Sequence, residues 1–311
     1  IKQEKLNNRV AELEVATSEN SMEESITQTY IQILYAAESV KVNENTLQVS
    51  IAQRDRGQEL LNAGSIAKSD LAQLEAQVST DRYQLVTAQA TLEDYKLQLK
   101  QLLELDGENE MNIYLPALSD ENVLAPLPTK RDVYISALSL RPEIEASKLN
   151  VEASELGINI AKSSYFPTIS LSAGIGTNHT SGSDFTFGEQ VKNGWNNSIG
   201  LSVSVPIFNN RQTKSAVQKA KLQYETSILS LLDEQKTLYK TIEGLWLDAN
   251  SAQQRYAAAN EKLKSTQISY ELISEQFNLG MKNTVELLTE KNNLLQAQQE
   301  QLQAKYMAIL N

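Results

Sequence analysis

The apolar positions of residues 1–62 recur with the spacing of a coiled-coil seam. The clearest run is Ile26, Tyr30, Ile33, Ala37, Val40, Glu44, Leu47 and Ile51, at steps alternating 4 and 3. A mean step of about 3.5 keeps one stripe against a partner helix. The pattern predicts a single helix of roughly 90 Å. Asn62-Ala63-Gly64-Ser65 interrupts it, glycine being the residue that supplies a left-handed helix cap. Ser69 and Asp70 are of the types that cap a following helix. The next seam runs Leu71, Leu74, Val78, Asp81, Leu85, Ala88, Leu92, Tyr95, Leu99 and Leu102; nine of the ten are apolar and Asp81 is the exception. A long helix, a tight turn and a second helix predict an antiparallel helical hairpin over 1–105.

Residues 106–141 carry Asp106-Gly107 and three prolines, Pro116, Pro126 and Pro128, and read as a connector. A helix is predicted over 142–163, with Pro142 in its first turn. The period then falls to two. Ile169, Leu171, Ala173 and Ile175 alternate with Thr168, Ser170, Ser172 and Gly174, and Ile199, Leu201, Val203 and Val205 alternate with Ser198, Gly200, Ser202 and Ser204. This predicts two strands within 164–208. The only charges of the segment, Asp184, Glu189 and Lys192, fall in the loop between them. Two readings fit. One is a soluble hairpin with one buried face. The other is a piece of transmembrane β-barrel wall, with Tyr165, Phe166, Trp195 and Phe208 where an aromatic girdle sits.

The seam period returns over 209–278: Leu231, Gln235, Leu238, Ile242, Leu245, Ala249, Ala252, Tyr256, Ala259, Leu263, Thr266, Tyr270, Ile273 and Phe277. Leu279-Gly280-Met281 breaks it, and a last helix is predicted from about Thr284, completing a second hairpin over 209–311. A shift of 216 places Gly64 on Gly280, Asn62 on Asn278, Asp70 on Glu286 and Leu71 on Leu287. Both turns and both helix lengths align, which reads as an internal duplication.

Composition narrows the chemistry. Of 311 residues only 18 are glycine or proline, all six prolines lie between 116 and 206, and cysteine is absent. Average usage would give roughly 37 glycines and prolines, so uninterrupted long helices are allowed on both sides of the proline window. No disulfide scaffold or thiolate metal site is possible. A net charge of −11 argues against nucleic-acid binding. No apolar run is long enough for a transmembrane helix. No catalytic constellation and no glycine-rich phosphate loop is present. The lone His179 reads as a surface residue of the polar loop, and Asn178-His179-Thr180 as a chance glycosylation sequon. The chain is therefore expected to be no enzyme and to carry no cofactor or metal.

The order of elements, duplicated about one strand pair, resembles the TolC-like outer-membrane efflux family. The residues that carry the resemblance are Arg141-Pro142-Glu143-Ile144, Phe166-Pro167-Thr168-Ile169-Ser170-Leu171, Val205-Pro206-Ile207-Phe208 and the two turns. It implies a mainly α fold with a β-hairpin. Two helical hairpins would contribute to a periplasmic α-barrel, and the strands to a β-barrel in the outer membrane of a Gram-negative cell. It further implies a homotrimer acting as the passive exit duct of tripartite efflux or type I secretion. The partners implied are a periplasmic adaptor, an inner-membrane pump and outer-membrane lipid. The family has a strand pair before each long helix, whereas this chain shows only the second, so a further pair is expected upstream of Ile1. The alternative is a soluble periplasmic coiled-coil adaptor, although adaptors carry one hairpin rather than two.

The resemblance also implies where function sits. In the family the turns form the periplasmic mouth. Ser69 and Asp70 fall on gate partners of the first hairpin, Phe277 on a gate tyrosine, Lys282 on a gate arginine and Glu286 on a pore acid, while Thr289 replaces a second acid. Phe277 lacks the tyrosine's hydroxyl, and lysine is a point charge rather than a bidentate fork. Asp70 and Lys282 are expected to approach each other when the mouth is closed. The tips Ala63, Gly64, Ser65, Leu279, Gly280 and Met281 are the expected adaptor contacts.

Overall fold

A computed structural model describes residues 1–105, 113–114, 123–182 and 184–311. Its elements are α1 (Lys2–Asn62), α2 (Lys68–Leu102), α3 (Lys130–Leu140), α4 (Pro142–Ser163), β1 (Thr168–Gly176), α5 (Phe187–Asn193), β2 (Asn196–Ser204), α6 (Gln212–Asn278) and α7 (Thr284–Leu310). The chain divides into two units, one of Ile1–Glu14 with Arg141–Lys236 and one of Val15–Leu140 with Thr237–Asn311. Two of the three dividing points fall inside α1 and α6 and the third between α3 and α4, so both units are discontinuous in sequence.

The larger unit is built on the seams. Ile33, Ala37, Val40 and Leu47 of α1 are buried, with Leu74, Val78 and Leu99 of α2, Leu238, Ile242, Tyr256 and Phe277 of α6, and Leu287, Leu294 and Leu302 of α7. Each fully buried leucine or isoleucine contributes about 1.5–3 kcal/mol. Leu245, a seam position by spacing, is exposed instead. Helix α1 also buries a second stripe at heptad spacing: Thr29, Ala36, Asn43, Ser50 and Gly57. These side chains are small, so neighbouring helices approach closely; a Cβ at Gly57 would lie 2.4 Å from Leu74 Cδ1. The polar members stay hydrogen-bonded, as burial requires. Thr29 Oγ1 donates to the Ser25 carbonyl at 2.8 Å and Asn43 Nδ2 to the Ser39 carbonyl at 2.8 Å.

Part of the connector over 106–141 lies outside the described residues, and its described part holds α3. Thr129 caps that helix, accepting from Asp132 N at 3.3 Å. The segment is fastened to α6 by side chains that α6 provides. Trp246 Nε1 donates to the Pro128 carbonyl at 3.0 Å, and Gln253 Nε2 to those of Ala125 and Val123 at 2.8 and 3.1 Å. Lys130 Nζ lies 4.9 Å from the centroid of the Trp246 ring and 3.3 Å from Glu243.

In the smaller unit α4 packs on the start of α1 through Val10, Leu13, Ala146 and Leu149. Strands β1 and β2 pair antiparallel, with Ile169 opposite Val203, Leu171 opposite Leu201 and Ala173 opposite Ile199. Ser170–Ser202, Ser172–Gly200 and Gly174–Ser198 pair on the other face. Nearly every position of both strands is exposed, the apolar face included: Leu171 is 75% and Ile199 83% exposed. The intervening loop contains α5, capped by Thr186, whose side chain accepts from Glu189 N. His179 Nδ1 and Gln190 Oε1 are 3.0 Å apart, in contact within that loop. Helix α6 begins at Gln212 rather than at 209, because Asn210 and Arg211 hold left-handed φ values of 49° and 64° that a helix cannot include. Among the described residues no helix is long and apolar enough to cross a membrane, and no cluster of metal-ligating side chains occurs.

Candidate functional site

The two interhelical turns of the larger unit are copies of one structure. After α1, Gly64 N donates to the Leu61 carbonyl at 2.9 Å and Ser65 N to that of Leu60 at 2.8 Å. After α6, Gly280 N donates to Phe277 at 2.9 Å and Met281 N to Gln276 at 2.8 Å. This is the Schellman pattern, in which a left-handed residue lets the last helical carbonyls find donors. The match in bonding at a spacing of 216 residues extends the duplication from sequence to geometry. The turns lie side by side, since Arg56 Nη2 donates to the Asn278 carbonyl at 3.3 Å.

Asp70 and Glu286 hold the same position, three residues into their helices. Asp70 accepts from Ala67 N at 3.0 Å and Glu286 from Asn283 N at 3.2 Å. The N-cap of α2 is therefore Ala67 rather than Ser69 or Asp70, and with no side-chain acceptor there the acid at the third helical position does the capping alone. Ser69 is exposed. In α7 the cap is reciprocal, Asn283 Oδ1 accepting from Glu286 N at 2.9 Å.

Lys282 is engaged by the helix that follows it. Its Nζ lies 2.5 Å from Glu286 Oε1, and among the described residues no ion pair joins it to Asp70. The approach of Asp70 to Lys282 is thus not seen within the chain, because each group has a nearer partner made by the local fold. The Glu286 carboxyl is held below its ordinary value, first by the Lys282 hydrogen bond and then by the Asn283 N–H. Phe277 is 2% exposed and sits in the core of the hairpin rather than at the rim. The tips are uneven: Leu279 and Met281 are 75% and 71% exposed, while Ala63, Gly64 and Ser65, also exposed, carry no large apolar side chain.

A buried cluster escaped the sequence reading. Lys291 of α7 and Asp81 of α2 form an ion pair with side chains 3% and 1% exposed. Ser50 of α1 donates to Asp81 Oδ2 and accepts from Lys291 Nζ. Gln77 Nε2 fills the other oxygen, Asp81 Oδ1, at 2.9 Å. Burial pulls the Lys291 ammonium below the usual lysine range, and the Asp81 carboxylate opposes that pull. The signal was in view: Asp81 was the one charged seam position of α2, and its partner stands on the buried face of α7.

The sequence model of the family "Outer membrane efflux protein" matches residues 133–309. The chain is similar to the outer membrane efflux protein BepC of Brucella suis, 24% identical over 283 residues that cover 90% of the chain and 59% of the relative. It is likewise similar to the outer membrane protein TolC of Escherichia coli, 24% identical over 291 residues, 91% of the chain and 58% of the relative. The chain thus spans about three fifths of the length of these curated relatives. Among solved structures it superposes on CusC with a TM-score of 0.80 at 19% identity, over 99% of this chain and 70% of that one. It superposes on the Campylobacter jejuni CmeC outer membrane channel with a TM-score of 0.78 at 19% identity, over 99% and 64%. The fold is that of these channels, and the chain belongs to the outer membrane efflux protein family.

Proposed function

We propose that this member of the outer membrane efflux protein family is part of a trimeric exit duct. It would pass substrates from periplasm to exterior without driving the transport itself, and serve tripartite efflux or type I secretion. The observation that carries this reading is the β1–β2 hairpin. Its apolar face is exposed, its strands are uncharged, and two strands alone are marginal in water. Lipid on the apolar face and further strands on both edges remove that cost, and closure into a barrel satisfies every edge hydrogen bond. The small polar face, Ser170, Ser172, Ser198 and Ser202, then lines the lumen.

In this reading the turns form the periplasmic mouth. Lys282 and Glu286 line it, Asp70 stiffens the neighbouring turn, and exposed Leu279 and Met281 supply an apolar contact for a periplasmic adaptor, which links the duct to an inner-membrane pump. The test uses the full-length protein, purified in detergent and added to planar bilayers. Trimers by mass and discrete cation-preferring conductance steps are expected. A monodisperse monomer that stays soluble without detergent and forms no pore would support the adaptor reading instead.

A further inference from the structure

The buried cluster of Ser50, Asp81 and Lys291 joins the two hairpins where nothing in the seam pattern calls for charge. Under the shift of 216, Asp81 corresponds to Ala297, a fully buried alanine, so the duplication itself supplies an apolar solution at this position. The chain instead holds an ion pair, with each Asp81 oxygen occupied and the hydroxyl of Ser50 bridging both charges. Removing one partner would leave the other charged and dry, so this contact between the hairpins is costly to break.

Its place along the helices matters. Asp81 lies 17 residues past Gly64, Lys291 11 past Gly280 and Ser50 14 before Gly64. At helical rise that is roughly 15–25 Å from the turns. Toward the turns two hydrogen bonds between the hairpins are less buried than the ion pair. Gln53 Nε2 donates to Tyr270 Oη at 2.8 Å in a half-buried site. Arg56 donates to the Asn278 carbonyl at 3.3 Å in an exposed one. Exposed hydrogen bonds exchange with water at little cost, whereas the dry ion pair cannot.

We propose that the Ser50–Asp81–Lys291 clasp is the pivot of the mouth, holding α7 on the first hairpin while the turns beyond it separate and close. This rests on the reading of the turns as a channel mouth. The clasp residues are positioning residues: they contact no substrate and act by fixing where the hairpins may part.

The experiment compares single-channel conductance of full-length trimers, each verified by mass in detergent. In Lys291→Met the pivot slackens, and conductance of intact trimers is expected to rise about threefold or more as the resting mouth widens. Asp81→Leu with Lys291→Met removes both charges, lets apolar packing fix the same point and is expected to return conductance to within about twofold of wild type. Where Lys291→Met does not assemble, Ser50→Ala carries the test; it removes one bridging hydroxyl and should raise conductance in the same direction. A purely structural role would lower trimer yield and thermal stability without altering conductance of the trimers that assemble. Wild-type conductance in every assembled single variant would therefore overturn the pivot. Absence of any pore from the wild-type protein would overturn the channel reading, and the pivot with it.

Discussion

Gly64 and Gly280 hold the same left-handed backbone, at φ 75° and 73°, in turns 216 residues apart. Neither has a heavy atom within 4 Å of where a Cβ would stand, so the requirement for glycine is conformational rather than steric.

Alanine at either turn is accordingly expected to destabilise the larger unit by about 1–2 kcal/mol. The same substitution at Gly244, inside α6 and with equally open surroundings, should stabilise by about 0.5–1 kcal/mol through helix propensity. Chemical denaturation of Gly280→Ala and Gly244→Ala measures both. Equal shifts of one sign would contradict the backbone argument.

In the proposed channel Glu286 should keep the mouth anionic to a pH below the ordinary carboxylate midpoint. A carboxyl held below its ordinary 4.5 adds stability that is present above that value and lost as pH falls through the lowered one. Lys282→Met removes the first cause of the lowering and should move the loss upward toward pH 4.5. Cation selectivity of full-length channels followed from pH 6 downward, on the order of half-unit steps, reads this directly. Lys282→Glu should go further, setting two acids against each other and leaving the mouth leaky. Selectivity midpoints that coincide in wild type and Lys282→Met would refute the pairing as the cause.

The clasp makes a separate claim about stability. Lys291→Met is expected to cost about 3–5 kcal/mol by stranding the Asp81 carboxylate, while Asp81→Leu with Lys291→Met should recover most of it. Denaturant midpoints of the two variants and of Asp81→Leu alone complete a double-mutant cycle. Additive effects would mean that the charges do not depend on each other.

The two faces of the hairpin should respond oppositely to charge. Leu171→Lys places an ammonium on the face assigned to lipid and is expected to cost about 2–4 kcal/mol at mid-membrane, with loss of assembled protein from the outer membrane. Ser170→Lys, one residue away on the other face, should assemble normally and lower cation conductance. Quantifying heat-resistant trimers in membrane fractions separates the two. Equal loss from both substitutions would count against a lumen on the serine face.

Period alone made much of this chain legible. Ile33, Val40 and Leu47, or Leu74 and Val78, declare their helix and their buried face because apolar side chains at steps of 3 and 4 have only one stripe on which to lie. Gly64 and Gly280 declare the turns because few other residues accept a left-handed backbone. Two helix starts were also written in local chemistry and passed over: Thr129 with Asp132, and Thr186 with Glu189, each an acceptor three residues ahead of an acid.

Tertiary structure decided what those faces meet. Thr29, Asn43 and Ser50 lie off the α1 seam and are nevertheless buried, Ser50 against Asp81 of α2 and Lys291 of α7. Phe277 and Glu286 stand nine residues apart at one turn, yet one is core and the other rim, a distinction set by which way each helix faces its neighbours. Lys282 answers Glu286 because it stands only four residues before it, in the bend that leads into α7, so the local chain path brings the two together. Asp81 and Lys291 lie 210 residues apart, and only the packing of α2 against α7 turns two separate violations of the apolar pattern into one satisfied pair. A charge in a seam looks like an error from its own helix, since the partner that neutralises it is fixed by long-range contacts that local periodicity does not encode.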